Sequence, residues 1–295
     1  MAWTRPCANS SVAADAGANA DQVAYWNAAA GETWVAMQDR LDRQLAPLGR
    51  AAMDALDIAA DERLIDVGCG CGATSLELAT EVGDDGSVLG VDISAPMLAV
   101  ARRRASELGL SNVRFLEADA QTRAFAPGGA DGLFSRFGVM FFSDPTAAFT
   151  NLHKALRPGG RLAFVCWRAL PLNEWMMLPM RAALPHMAAS PPPPMLDPHA
   201  PGPFAFADPD RVRGILGEAG FSAVSIDAHD ALIGGNDLEE TIALSLRVGP
   251  LGMMLRENPD SRDAVITSLR AALEPHAGPG GVFLPAAVWI VTARA

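Results

Sequence analysis

The stretch LIDVGCGCGATSLELA, residues 64–79, constrains the fold of this chain more than any other. An apolar run carries Asp66 near its end. Gly68, Gly70 and Gly72 then alternate with Cys69 and Cys71, and a helical pattern begins. Glycine reaches backbone angles closed to other residues and lets a ligand lie against the main chain. The helix that follows points its free N–H groups at the same spot. With Ala73 as its last member the turn also satisfies the dinucleotide fingerprint, so the turn alone leaves the ligand open.

The rest of the chain repeats that unit. Short apolar runs at Arg63–Val67, Ser87–Asp92, Val113–Ala118, Gly132–Phe137 and Gly160–Trp167 alternate with helical segments ending near Glu81, Leu108 and Leu156. This alternation predicts an α/β fold: a Rossmann-like, seven-stranded, mostly parallel sheet with helices on both faces. Ahead of it, Val35, Met37, Leu41, Leu45 and Leu48 recur at helical spacing, with Gly31 and Pro47 expected to divide the region into short helices. Between Arg168 and Asp208 the regularity lapses, and a proline run at 191–194 favours extended or turn geometry. A helix over 209–219, a strand over Ser222–Ala228, helices over Leu238–Arg247 and Arg262–Leu273, and a last strand in AAVWIVTARA follow. The expected organisation is a flexible tail (1–20), a helical cap (21–60), a ligand-binding core (61–168), a Pro-rich insertion or lid (169–210) and the C-terminal part of the same α/β domain (211–295).

The formal net charge of −11 makes the chain a poor partner for nucleic acid, whose binding rests on cationic contacts to phosphate. No apolar stretch is long enough for a membrane span, and the first twenty residues lack the pattern of a signal peptide, so a cytoplasmic protein is expected. The four cysteines, Cys7, Cys69, Cys71 and Cys166, form no C-x-x-C pair. Two thiols one residue apart, with no nearby histidine, are a poor zinc set, and no metal is expected.

The second strand ends on Asp92, about 20 residues past the turn, where a carboxylate accepts hydrogen bonds from ribose hydroxyls. The third ends on Asp119 beside Ala120. An acid there can hold the amino group of an adenine, or be a solvated loop acid or a helix cap. Asp66-Val-Gly68-Cys-Gly70-Cys-Gly72, Asp92 after LGV, Glu117-Ala-Asp119-Ala120 and LRPGG (156–160) follow one another as in the class I S-adenosylmethionine-dependent methyltransferases, which this chain resembles from Ile65 to Trp167. The flanks YWNAAAGETW and GPFAFADPDRVRGIL resemble a bacterial subgroup related to quinone and small-molecule methyltransferases.

The resemblance implies S-adenosyl-L-methionine as cofactor. Its methionine part would lie along the glycine turn, with its amino group near Asp66. Asp92 would take the ribose hydroxyls, Ile93 and Met97 the adenine face, and Asp119 and Ala120 the adenine edge. Ser135 and Arg136 would border the methionine end and the substrate. A sulfonium methyl donor is already activated, so the protein must mainly align donor and acceptor and exclude water. A base helps only where the acceptor must lose a proton. His153, His186, His199 and His229 are candidates for that role or ordinary surface residues. Tyr25, Trp26, Trp34, Phe137, Met140 and Phe141, with Phe204 and Phe206 from the insertion, are candidates to line an acceptor pocket or to be plain core. Arg136 can pair with an acidic substrate, with the cofactor carboxylate, or in a structural ion pair. The expected acceptor is a small, largely apolar or aromatic molecule. A nicotinamide-dependent oxidoreductase shares the glycine turn and Asp92 but not Asp119 or LRPGG. A non-catalytic cofactor-binding protein is the other alternative.

Overall fold

Short apolar segments at the centre of the chain become parallel strands, because Arg63–Val67, Ser87–Asp92 and Ala130–Arg136 are each followed by a helix that returns the chain to the sheet's starting edge, while Val113–Glu117 and Ala130–Arg136 are joined by a loop. The computed structural model describes residues 17–187 and 199–295. The tail through residue 16, with Cys7, and the proline run at 191–194 lie outside the described residues. The strands are β1 (Arg63–Val67), β2 (Ser87–Asp92), β3 (Val113–Glu117), β4 (Ala130–Arg136), β5 (Leu156–Trp167), β6 (Ser222–Asn236), β7 (Ala277–Gly278) and β8 (Gly281–Arg294). They form one sheet in the order β3-β2-β1-β4-β5-β8-β6, with the two-residue β7 paired to β8 off this path. The seven expected strands are present and β7 makes eight; β8 runs antiparallel to both β5 and β6. Strand order reverses between β1 and β4, the place where open α/β sheets hold ligands beyond the carboxyl ends of their strands.

The helices are α1 (Ala20–Trp26), α2 (Ala29–Ala36), α3 (Gln38–Leu56), α4 (Ala73–Val82), α5 (Ala95–Glu107), α6 (Pro145–Ala155), α7 (Glu174–Ala183), α8 (Pro209–Glu218), α9 (Leu238–Ser245), α10 (Gly249–Glu257) and α11 (Arg262–Leu273). The last six residues of β5 are buried without a break, which requires cover on both faces of the sheet. Helix α3 crosses β4, β5, β8 and β6, while α6 and α8 pack on each other against β5 and β6.

Local expectation and structure part company in three places. Gly31 and Pro47 do not divide the N-terminal helices: Gly31 lies within α2 and Pro47 within α3. The breaks fall at Asn27–Ala28 and Met37 instead. Burial of Leu41, Leu45, Leu48, Ala52 and Leu56 along one face of α3 outweighs the roughly 3 kcal/mol that an interior proline costs. Secondly, β6 and β8 are longer than their apolar patterns. Trp167 at the end of β5 pairs with Val288, but β6 and β8 stay paired through Asn236 and Val282 as a two-stranded ribbon beyond the sheet. Thirdly, α7 lies in the stretch expected to be irregular, and α10 was not foreseen. With α9 and α11 these helices build a second hydrophobic cluster over the ribbon, from Ile242, Leu246, Leu251, Leu255, Val265, Leu269 and Leu273 against Val282 and Leu284. Much of the C-terminal region is thus a helical cap rather than sheet. Among the described residues no helix is long and apolar enough to cross a membrane.

Candidate functional site

The glycine turn closes tightly on β4. Gly68, Gly70 and Gly72 have φ of 70°, 53° and 82°. A Cβ on Gly68 would lie 2.6 Å from Cα of Gly138, so the two backbones touch where the strand order reverses. The wholly buried Ser135 hydroxyl donates to the Val67 carbonyl (2.7 Å) and accepts from the Gly138 N–H (3.2 Å). Its side chain therefore fastens β4 to β1 rather than facing a ligand.

Asp66 is wholly buried at the root of the turn. One carboxylate oxygen, Oδ2, accepts from Thr74 Oγ1 (2.7 Å) and Ser75 Oγ (2.6 Å) in the first turn of α4. The other, Oδ1, has no partner in the described structure. Burial pushes the carboxyl up to about 6; the two hydroxyls and, at longer range, Arg136 oppose that rise. Asp92 accepts from the Gly70 N–H (2.8 Å) and the Ser94 N–H (2.8 Å), one on each oxygen. Burial raises its pKa and those backbone donors counter the rise. The carboxylate keeps acceptor capacity for a further donor.

The first two helices cover this floor with little apolar anchoring. Helix α1 buries none of its residues and α2 only Gly31. Polar pins hold them instead. Asn19 Nδ2 donates to both Asp119 oxygens (3.0 and 2.9 Å) and to Gln121 Oε1 (3.2 Å), and its Oδ1 accepts from the Ser143 N–H (2.8 Å). At the other end Asn27 donates to the Ile93 carbonyl (2.8 Å) and accepts from the Ala95 N–H (2.9 Å), while Ser94 donates to the Trp26 carbonyl (2.8 Å). The cover thus runs from the end of β3 to the end of β2. Beneath it Met97 packs with Cys71 and Val100 against Trp26, Trp34 and Val35. Ala120 is buried, and its carbonyl accepts from Asn151 (2.9 Å).

Asn19, Asn27, Ser94 and Gln121 were missed in the sequence. Asn19 sits where a helix-capping residue belongs but makes no cap bond, because its side chain turns to Asp119.

Arg136 takes the ion-pair alternative. Its guanidinium donates to Asp42 Oδ1 (2.9 Å), and Arg104 donates to Asp42 Oδ2 (3.1 Å) and to the Cys71 carbonyl (2.8 Å). The aromatic candidates separate into two groups. Trp26 meets Trp34 and Phe141 edge-on at 5.7 and 5.3 Å between centroids, with the half-exposed Tyr25 against its outer side. Phe137, held at a φ of 60°, stacks on Trp167 at 4.1 Å, and Trp167 meets Trp175 at 5.1 Å. Trp167 and Trp175 were also missed. Met140 is fully buried. Phe206 is buried against Phe149 and Phe164. His153 rests edge-on against Phe221, and His186 Nε2 lies 2.7 Å from Ser268 Oγ.

A family model described as a methyltransferase domain matches residues 64–160. Nocamycin O-methyltransferase of Saccharothrix syringae is 30% identical over 255 residues, 84% of this chain and 90% of its own length. Aklanonic acid methyltransferase of Streptomyces sp. is 36% identical over 127 residues, 43% of this chain and 58% of its own length. Among solved structures, a Haemonchus contortus phosphoethanolamine N-methyltransferase in complex with phosphomonomethylethanolamine and S-adenosylhomocysteine aligns with a TM-score of 0.59 at 15% identity, covering 94% of this chain and 60% of that one.

Proposed function

The chain belongs to the S-adenosylmethionine-dependent methyltransferases, and from that premise we propose that it methylates a small, largely apolar or aromatic molecule by direct displacement. The observation that carries this reading is the pair of carboxylates flanking the glycine turn. Asp66 holds one buried oxygen without a partner among the described residues, and the Asp92 carboxylate keeps acceptor capacity to spare. An orphaned buried carboxylate oxygen is costly unless a donor arrives, and a ligand ammonium is such a donor. The site therefore fits S-adenosylmethionine, which when bound supplies a methyl group on a positively charged sulfur.

In this reading Asp66 takes the amino group, the glycine turn lies along the methionine part, and Asp92 takes the ribose hydroxyls. Ile93 and Met97 flank the adenine, with Asp119 and Ala120 at its edge. Ser135 acts through its backbone position. Arg136, held by Asp42, keeps a positive charge at the methionine end. Trp26, Trp34 and Phe141 close the cofactor side, with Tyr25 outside them, and Phe137 and Met140 stand toward the acceptor. Relatives named for aklanonic acid and nocamycin, together with the aromatic lining, support an acceptor of that kind.

Calorimetry tests the cofactor. S-adenosylhomocysteine should bind and NADH should not. Asp92→Ala should weaken binding by about tenfold or more, since a hydrogen bond to a charged acceptor contributes about 1.5–3 kcal/mol. Unchanged affinity in Asp92→Ala would sink the ribose assignment. Methyl transfer from labelled donor to a panel of hydroxylated polyketides and quinols tests the acceptor, and exclusive transfer to RNA or protein would reject it.

A further inference from the structure

A cavity of about 30 Å³ lies outside the cofactor floor, between α3, α7, α9, α10 and the β6–β8 ribbon. Its walls are mostly apolar, Met176 and Leu284 among them, but two polar side chains on it have no hydrogen-bond partner among the described residues. The Trp175 indole N–H is buried without an acceptor. Gln44, 6% exposed, makes no side-chain hydrogen bond to any described residue. The other polar side chains there are satisfied: Thr241 donates to the Asp237 carbonyl (2.7 Å) and Ser245 to the Thr241 carbonyl (2.8 Å). A buried, unpaired donor destabilises a fold, and leucine at position 44 would continue the apolar face of α3. The Trp175 donor, with the Gln44 amide on the same cavity, marks a place for an acceptor from outside the described residues.

A chain of ring contacts runs from the cavity wall toward the glycine turn. Gly138 touches the glycine turn. Its neighbour Phe137 stacks on Trp167, and Trp167 meets Trp175 on the cavity wall. A row of rings thus leads from the turn to the cavity. Its volume admits about two waters, or one small oxygen-bearing group, but not a whole acceptor.

We propose that this cavity is the terminal subsite of the methyl acceptor: Trp175 and Gln44 donate hydrogen bonds to an oxygen at the end of the acceptor remote from the methylated atom, while its flat apolar body lies along the Phe137–Trp167–Trp175 row. The acceptor class is therefore a planar apolar molecule ending in a carbonyl or carboxylate. This rests on the methyltransferase reading above.

The test uses the full chain saturated with S-adenosylhomocysteine, with 2-naphthoate as probe and 2-methylnaphthalene as its oxygen-free counterpart. In proton–nitrogen correlation spectra the Trp175 indole resonance is identified by its loss in Trp175→Phe. It should move downfield with 2-naphthoate and not with 2-methylnaphthalene. Gln44→Leu and Trp175→Phe should each weaken 2-naphthoate binding about tenfold and leave S-adenosylhomocysteine affinity unchanged. Without probe, Gln44→Leu should melt no lower than the parent, because it removes an unpaired amide. An unmoved indole resonance, unchanged probe affinity in both variants, or a lowered melting temperature in Gln44→Leu would each overturn the subsite. If S-adenosylhomocysteine itself fails to bind, both the methyltransferase reading and the subsite resting on it fall; if it binds and the indole stays still, the subsite alone falls.

Discussion

Two covers stand over the carboxyl ends of the strands, and they are built on opposite principles. The N-terminal cover, α1 and α2, buries almost nothing and is pinned by Asn19, Asn27 and Ser94 to the loops after β2 and β3. The C-terminal cover, α7 with α9 to α11, has a hydrophobic core of its own over the β6–β8 ribbon. A few polar contacts, each contributing about 1 kcal/mol, part more readily than an apolar core, which separates only by exposing its whole area. The N-terminal cover is therefore suited to opening, while the C-terminal cover is a standing wall.

The largest effect should come from the wall. Leu269 is fully buried between the cap helices, and Leu269→Ala should cost about 2–5 kcal/mol in urea denaturation. A cost below about 1 kcal/mol would break the comparison, since the cap would then not depend on its core. The floor beneath the polar cover gives the next effect. The Asp66 carboxyl rises from 3.8 to about 6 on folding, so its contribution to stability is full below pH 4 and lost as pH climbs through 6. The stability of Asp66→Asn relative to the parent should therefore grow by about 2 kcal/mol between pH 4 and pH 8, although its cofactor affinity falls. A difference independent of pH across that window would refute the assignment. The smallest effect belongs to the pins. Asn19→Ala should lower global stability by about 1 kcal/mol or less, yet speed S-adenosylhomocysteine release and proteolysis within residues 20–36. If it destabilises the chain as much as Leu269→Ala, the two covers are not different in kind.

What could be read in advance follows the same division. The strands β1 to β5, the glycine turn, Asp66 and Asp92 are local patterns: a period, a turn residue, an acid at a strand end. Helix α7 hid behind Pro171 and Pro179, and α10 behind Gly249-Pro250, because their apolar faces make sense only against partners far along the chain. Pro47 misled for the same reason, tertiary burial overriding a local breaker. The asparagine pins had no legible signal, since a lone asparagine before or after a helix reads as a cap. Nor does any local rule distinguish Gln44 from a solvent-facing glutamine on α3.

The thiols of the glycine turn make its opening countable. Cys69 and Cys71 are buried, and burial with nearby carboxylates pushes the first well up and the second to about 12. At pH 8 neither forms appreciable thiolate while covered, so an alkylating reagent must wait for the turn to be uncovered. Cys166, buried on β5, waits for a deeper event. Comparing modification of the two peptides over time therefore gives the molecule a stopwatch: the lag between them measures how often the cofactor door swings while the rest of the house stands.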